Sequence, residues 1–180
     1  QNPDDYAHLK DVFRPGHADY TLHRKYGRRD WRGGGRASAR ETASRVAGGA
    51  VAQALLRTQR IAIRACTLSI GEVACSNPPL TVPEEATGRP FHAVESELAG
   101  RREEALLMAR AGGDSLGGIV MLEATGIPAG LGEPVFDKLD ARIGYAMLGV
   151  GAVKGAEIGA GFGAASLRGS AHNDPMPHGP

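Results

Sequence analysis

The chain has 180 residues, 42% of them hydrophobic and 23% charged, which suits one globular domain with a real core and excludes a disordered or fibrous polypeptide. No apolar run reaches the length of a membrane-spanning helix, and two cysteines are too few for a disulfide framework or a zinc site, so a reducing cytoplasm is the expected setting. The net charge of +1 hides an asymmetry: nine Lys or Arg against three acids between Arg14 and Arg45 give +6 there and leave −5 elsewhere. A local basic field serves an anion or is simply a solvated surface, and charge by itself does not choose between them.

The chain opens Gln1-Asn2-Pro3-Asp4-Asp5, with neither an initiator Met nor a signal peptide, and that start reads as a cut or processed end. Residues 1–13 are expected to be an extended lead-in. Residues 14–37, rich in Gly, Arg and His without a clear period, are expected to be a long ordered loop, and such loops tend to be functional. Ser38 starts the clearest helix, because Ser38-Ala39-Arg40-Glu41 fits a capping box and Ala43, Val46, Ala47, Ala50, Val51, Ala54 and Leu55 recur at spacings of three and four. Gly48 and Gly49 weaken that helix by roughly 1 kcal/mol each relative to Ala, which points to close packing against another element. Residues 60–70 alternate as a strand, and residues 77–90 are a Pro-rich loop. A charged helix follows over 94–111, ended by Gly112-Gly113, and then a strand with a buried apolar run over 118–125. After a Gly/Pro loop, the pattern predicts a helix over 134–150 and short strands at 153–158 and 162–168. Residues 171–180 lack a core pattern and are expected to fray. No repeat and no internal domain boundary stand out, so residues 1–180 read as a single domain.

Two constellations can carry chemistry. In Arg14-Pro15-Gly16-His17-Ala18-Asp19-Tyr20, Pro and Gly make a turn that presents Arg14 and His17 from one platform. His17 can exchange a proton near neutrality, or it is a turn histidine hydrogen-bonded to Asp19 or Tyr20. In Arg32-Gly33-Gly34-Gly35-Arg36-Ala37-Ser38-Ala39-Arg40-Glu41, three glycines run into a helix N-terminus whose free N–H groups and dipole favour anions. Arg36 and Arg40, about 40° apart on a helical wheel, lead the apolar face at its N-terminal end, while Arg45 falls on the far side. Two guanidiniums there need an anionic partner, either a bound phosphate or carboxylate or an internal carboxylate. Gly159-Ala160-Gly161-Phe162-Gly163-Ala164 matches a loose dinucleotide fingerprint. It is rejected because too little chain follows for the required helix, strand and acid, and its glycines read as tight turns or bulges between strands.

Asp11-Val-Phe-Arg-Pro-Gly-His-Ala-Asp-Tyr-Thr21, Lys25-Tyr-Gly27 and Arg29-Asp-Trp-Arg-Gly-Gly-Gly-Arg-Ala-Ser-Ala-Arg-Glu-Thr42 closely resemble chorismate synthases. So do Gly113-Asp-Ser-Leu-Gly-Gly118, Pro128-Ala-Gly-Leu-Gly-Glu-Pro-Val-Phe-Asp-Lys-Leu-Asp140, Ala152-Val-Lys-Gly-Ala-Glu-Ile-Gly-Ala-Gly-Phe162 and Leu167-Arg-Gly-Ser170, in order along nearly the whole chain. The resemblance implies an α+β protein with a β-α-β sandwich, here an incomplete core, and a homotetrameric cytoplasmic lyase of the shikimate pathway, and thus of aromatic amino acid biosynthesis. It implies 1,4-anti elimination of phosphate from 5-enolpyruvylshikimate 3-phosphate to give chorismate, with reduced FMN (FMNH2) and no net redox change. Whether NADPH (NADP chemistry) serves as the flavin reductant is left open. By matched motif, His17 is similar to the histidine that protonates the reduced flavin, and Arg14 to a substrate anion ligand. Arg36, Ala37, Ser38 and Ala39 match the FMN-contacting run of this flavoprotein family, Arg40 matches a substrate-binding arginine, and Ser38 is expected to cap the helix as well as face substrate. Many members carry Ser where this chain has Ala37, which removes one hydroxyl contact.

Complete members also begin with a Gly-Glu-Ser-His-Gly segment, whose His is a second acid, and end with flavin-binding and active-site segments that do not occur in these 180 residues. The chain is therefore expected to be a central core that binds flavin weakly and does not turn over. Two other readings fit parts of the pattern: a catalytically inactive structural core of the same family, and a nucleic-acid module using residues 24–40. The second is disfavoured by the acidic remainder of the chain and by few aromatics for base stacking.

Overall fold

The structure, a computed structural model, describes residues 3–35 and 38–173. These fall into two compact units, residues 1–47 with 130–180 and residues 48–129. The fold is α+β.

In the first unit the lead-in is a 3-10 helix, Pro3–Leu9, rather than extended chain. The segment expected as loop contains helix α1, Asp19–Tyr26. Its ends follow the helix dipole, with Asp19 in the first turn and His23, Arg24 and Lys25 in the last. Gly27 closes it in the left-handed region at φ 70°, its N–H donating to the His23 carbonyl at 2.8 Å. A 3-10 turn, Ala39–Glu41, leads into helix α2, Thr42–Thr58, which crosses the boundary between the units. Ser38 caps this start, but its hydroxyl accepts from the Arg40 N–H and not from that of Glu41. Glu41 does not reach back either: both its carboxylate oxygens accept from Arg45 Nε at 2.8 Å, so the expected capping box is not formed.

Further along this unit, residues 134–138 do not begin a helix. Glu133 and Asp137 exchange two backbone hydrogen bonds, and α4 starts only at Leu139, running Leu139–Leu148. The strands expected at 153–158 and 162–168 are absent among the described residues. Gly161–Ser166 is instead a 3-10 helix, with Gly159 ahead of it and Gly161 at its start both at positive φ.

The second unit is built on a three-stranded antiparallel sheet in the order β2-β1-β3, with β1 at Ala62–Ile70, β2 at Val73–Ala74 and β3 at Gly118–Thr125. A two-residue turn at Gly71-Glu72 joins β1 to β2, and Gly71 takes φ 55°. Helix α3, Glu97–Ala111, packs on β2 and ends at Gly112, as its glycines predict. Cys66, Val82 and Ala86 form a small core, with Leu68, Val94 and Met121 packed against it. Arg102 of α3 is fully buried and donates to the Leu68 carbonyl at 2.8 Å. Both cysteines are free and buried, and burial pushes the Cys66 thiol up, which keeps it protonated and unreactive.

Two expectations about burial fail. β3 has the expected bounds, but Val120 and Leu122 alternate onto the face opposite Met121 and Glu123 and are exposed, and Ile119, on the same face as Met121 but at the start of the strand, is exposed as well. On α2, Val46, Val51 and Leu55 are exposed, and a methyl group added at Gly48 or Gly49 would meet nothing within 4 Å. The helical stripe is real, but no other element among the described residues covers it.

Candidate functional site

The turn before α1 converges on one carboxylate. Asp19 is 2% exposed. Its Oδ2 accepts from Arg14 Nε at 2.9 Å and its Oδ1 from Arg14 Nη2 at 3.2 Å, the two-pronged pairing that a planar guanidinium makes best. Arg29 Nη1 lies 3.4 Å from Oδ2, and His17 Nδ1 lies 2.9 Å from Oδ1. Hydrogen bonding from Arg14 holds the Asp19 carboxyl below the usual carboxylate range against the opposing effect of burial, and Asp19 raises Arg14 in return. Asp19 is thus ionised at neutral pH and serves as the hub for two arginines and a histidine.

Arg29 fastens this hub to the lead-in, since its Nη2 donates to the carbonyls of Leu9, Lys10 and Val12. Its guanidinium also sits over the Phe13 ring at 4.9 Å, and Phe13 meets Tyr20 edge-on at 5.4 Å. Arg14 and His17 are therefore fixed from below while their side chains stay about one third exposed, at 30% and 33%. The hydrogen bond to Asp19 that residue spacing allowed for His17 is present, and it leaves Nε2 of the ring available.

The second constellation lies in the same compact unit. Gly33, Gly34 and Gly35 hold φ of 103°, 86° and 52°, a run that side chains would strain, and the Gly34 N–H donates to the Asp30 carbonyl at 3.0 Å. Arg36 and Ala37, both expected in the cofactor-contacting run, lie outside the described residues. Ser38 accepts from Arg40 Nε at 3.2 Å as well as from its backbone N–H. Arg40 is exposed, and no acidic group among the described residues pairs with it, whereas Arg32 pairs with Asp30 and Arg45 with Glu41. Ala39 forms the first turn beside it. A guanidinium with no acidic partner among the described residues, a hydroxyl and a helix N-terminus form a donor set that suits a phosphate or carboxylate.

Sequence reasoning placed Arg14 and His17 on one turn and allowed Asp19 as a partner of His17, but missed the pairing of Asp19 with Arg14 and with Arg29. The available signal was the helix itself: an acid at 19, three bases at 23–25 and Gly27 mark a short helix that turns Asp19 back toward Arg14.

A family model described as chorismate synthase matches residues 1–178. A chorismate synthase of Nitratidesulfovibrio vulgaris strain Hildenborough is 53% identical over 176 residues, covering 98% of this chain and 49% of its own length. That of Desulfatibacillum aliphaticivorans is 56% identical over 171 residues, covering 95% and 47%. A crystal structure of chorismate synthase superposes with a TM-score of 0.78 at 36% identity, over 88% of this chain and 52% of the other. The chain thus spans about half the length of the curated relatives it matches.

Proposed function

The chain belongs to the chorismate synthase family, and on that premise we propose that the full-length protein is a carbon–oxygen lyase that forms chorismate and phosphate from 5-enolpyruvylshikimate 3-phosphate. The reaction is a 1,4-anti elimination assisted by reduced FMN, carried out by a homotetramer in a reducing cytoplasm. The observation that carries this reading is an imidazole seated on a buried, ionised carboxylate, in the same unit as an arginine that starts a helix with no acidic partner among the described residues. The substrate bears a phosphate and two carboxylates, and the flavin bears another phosphate, so unpaired cationic donors are what such a site needs.

The residues present fit the flavin on the chemistry of their donors. Ser38 and Ala39, with Arg36 and Ala37, are the run that would hold it, and the positive-φ glycines let that backbone approach closely. When bound, reduced FMN supplies electron density to the departing phosphate and recovers it as the hydrogen is lost. The protein's own residues do the rest. Arg14 and Arg40 bind anionic substrate groups, Ser38 offers its hydroxyl to the same ligands, and His17 holds a proton at its outward nitrogen for delivery toward the flavin.

The 180 residues by themselves are proposed to give no turnover. Under anaerobic conditions with chemically reduced FMN, the full-length protein should release chorismate and phosphate in equal amounts. His17→Ala should lower kcat about 10²- to 10⁴-fold, the range for a lost general acid, with a much smaller change in KM. No chorismate from the full-length protein, or an unaltered His17→Ala variant, would count against the assignment. Chorismate made by this chain alone would overturn the inactive-fragment reading. Supplying NADPH in place of reduced flavin separates a protein that reduces its own flavin from one that borrows it.

A further inference from the structure

A cavity of about 410 Å³ lies in the first unit, between the chain that follows the lead-in, the end of α1 and the loop beyond it. None of Arg14, His17, Ser38 and Arg40 lines it, so the proposed reaction leaves it unused. Its volume is within the range of small-molecule sites. Phe13 and Trp31 meet there in a chain with only 5% aromatic residues, and His23 adds a third ring, 5.4 Å from that of Phe13. Such rings offer flat apolar surface to a flat ligand. The Phe13 wall is held in place beforehand: Arg29, itself part of the lining, lies over that ring at 4.9 Å and donates to the carbonyls of Leu9, Lys10 and Val12. Two further cations line the cavity, Lys10 and Arg28. Both are exposed, and neither has an acidic partner among the described residues. Asp11 is the one acid of the lining, so the cavity has positive charge to spare even with Arg29 committed to Asp19.

We propose that this cavity is a binding site, separate from the flavin and substrate donors, for a small ligand that joins a planar aromatic ring to a phosphate, of the size of a mononucleotide. Trp31 and Phe13 take the ring, as aromatic side chains do for nucleobases. Lys10 and Arg28 take the phosphate. Two unpaired cations match a phosphate dianion better than a singly charged carboxylate, and the planar fork of Arg28 can bond two of its oxygens at once. A ring without charge, or a phosphate without a ring, uses only half of the site.

Trp31 is the sole tryptophan of the 180 residues, so its fluorescence reports on the cavity directly. The test is a titration of this chain with AMP, without flavin or substrate, beside adenosine and inorganic phosphate as its two halves. The expected result is a saturable change in Trp31 emission, with AMP bound about 10-fold or more tightly than either half. Arg28→Ala and Lys10→Ala, both at exposed positions where folding is not at stake, should each weaken AMP by about 10-fold. Arg40→Ala, which removes an anion donor of the flavin and substrate site, should leave AMP affinity as it was. No saturable change at millimolar AMP would overturn the proposal. So would phosphate alone binding as tightly as AMP, which means an adventitious anion only. An AMP affinity that falls with Arg40→Ala and not with Arg28→Ala would overturn it too, because AMP would then occupy the other site. No turnover is read, so a silent Trp31 leaves the proposed function standing, and an unaltered His17→Ala variant leaves this cavity standing.

Discussion

Asp19 is buried and pairs with the guanidiniums of Arg14 and Arg29, with the His17 ring against it. Asp19→Ala leaves two guanidiniums facing each other without their counter-charge. Because Arg14 remains 30% exposed, the expected cost is about 2–3 kcal/mol, at or just below the lower end for a broken buried pair, read as a lower urea midpoint. The acid limb follows from the direction of the shift. Asp19 titrates lower in the folded chain than in the unfolded one, so its contribution is complete above the ordinary carboxylate range near pH 4 and is lost as pH falls through the lowered value. Asp19→Ala should therefore flatten the acid side of the stability profile, and an unchanged profile would contradict the pairing. At this scale Arg14 and His17 were legible, because proline and glycine announce the turn that presents them. The pairing of Asp19 with Arg14 and Arg29 was not, because it requires α1 to bring back a residue that simple spacing leaves as loop.

Among the elements, those with strong local signals were legible. β3 falls on Gly118–Thr125 as read, β1 is shortened by two residues, and α3 stops at the glycines that predict its end. The failures are physical. A capping box needs its glutamate free, and Arg45 one turn later offers Glu41 a charged partner instead. The glycine-spaced segment after α4 has too few alternating side chains to build a ladder and curls into 3-10 turns. The glycine pair in α2 was read as a packing site, yet nothing lies near either position. Gly48→Ala and Gly49→Ala should each raise the stability of this chain by about 1 kcal/mol, the propensity difference alone. A loss of stability in thermal unfolding would mean that some element does seat against that face.

For the molecule as a whole, the α+β class and the family are carried by motifs that run in order through both units, while burial was overestimated. Val51 at 74% exposure and Phe136 at 89% carry an apolar periodicity with no cover among the described residues, in a chain that spans about half the length of its relatives. Such surface favours association. Sedimentation should show mass rising with concentration in the micromolar range, and a monomer throughout would contradict this. Among the described residues, no helix is long and apolar enough to cross a membrane. The central claim is that the segment from Arg14 to Arg40 belongs to the flavin and substrate site. It is tested most directly by titrating FMN fluorescence against the full-length protein and its Arg40→Ala variant, with and without 5-enolpyruvylshikimate 3-phosphate. The account predicts saturable quenching that tightens with substrate, and a loss of about 10- to 100-fold in that tightening on removal of Arg40, the value of one charge-assisted hydrogen bond. Equal affinity and equal tightening in the two proteins would contradict it.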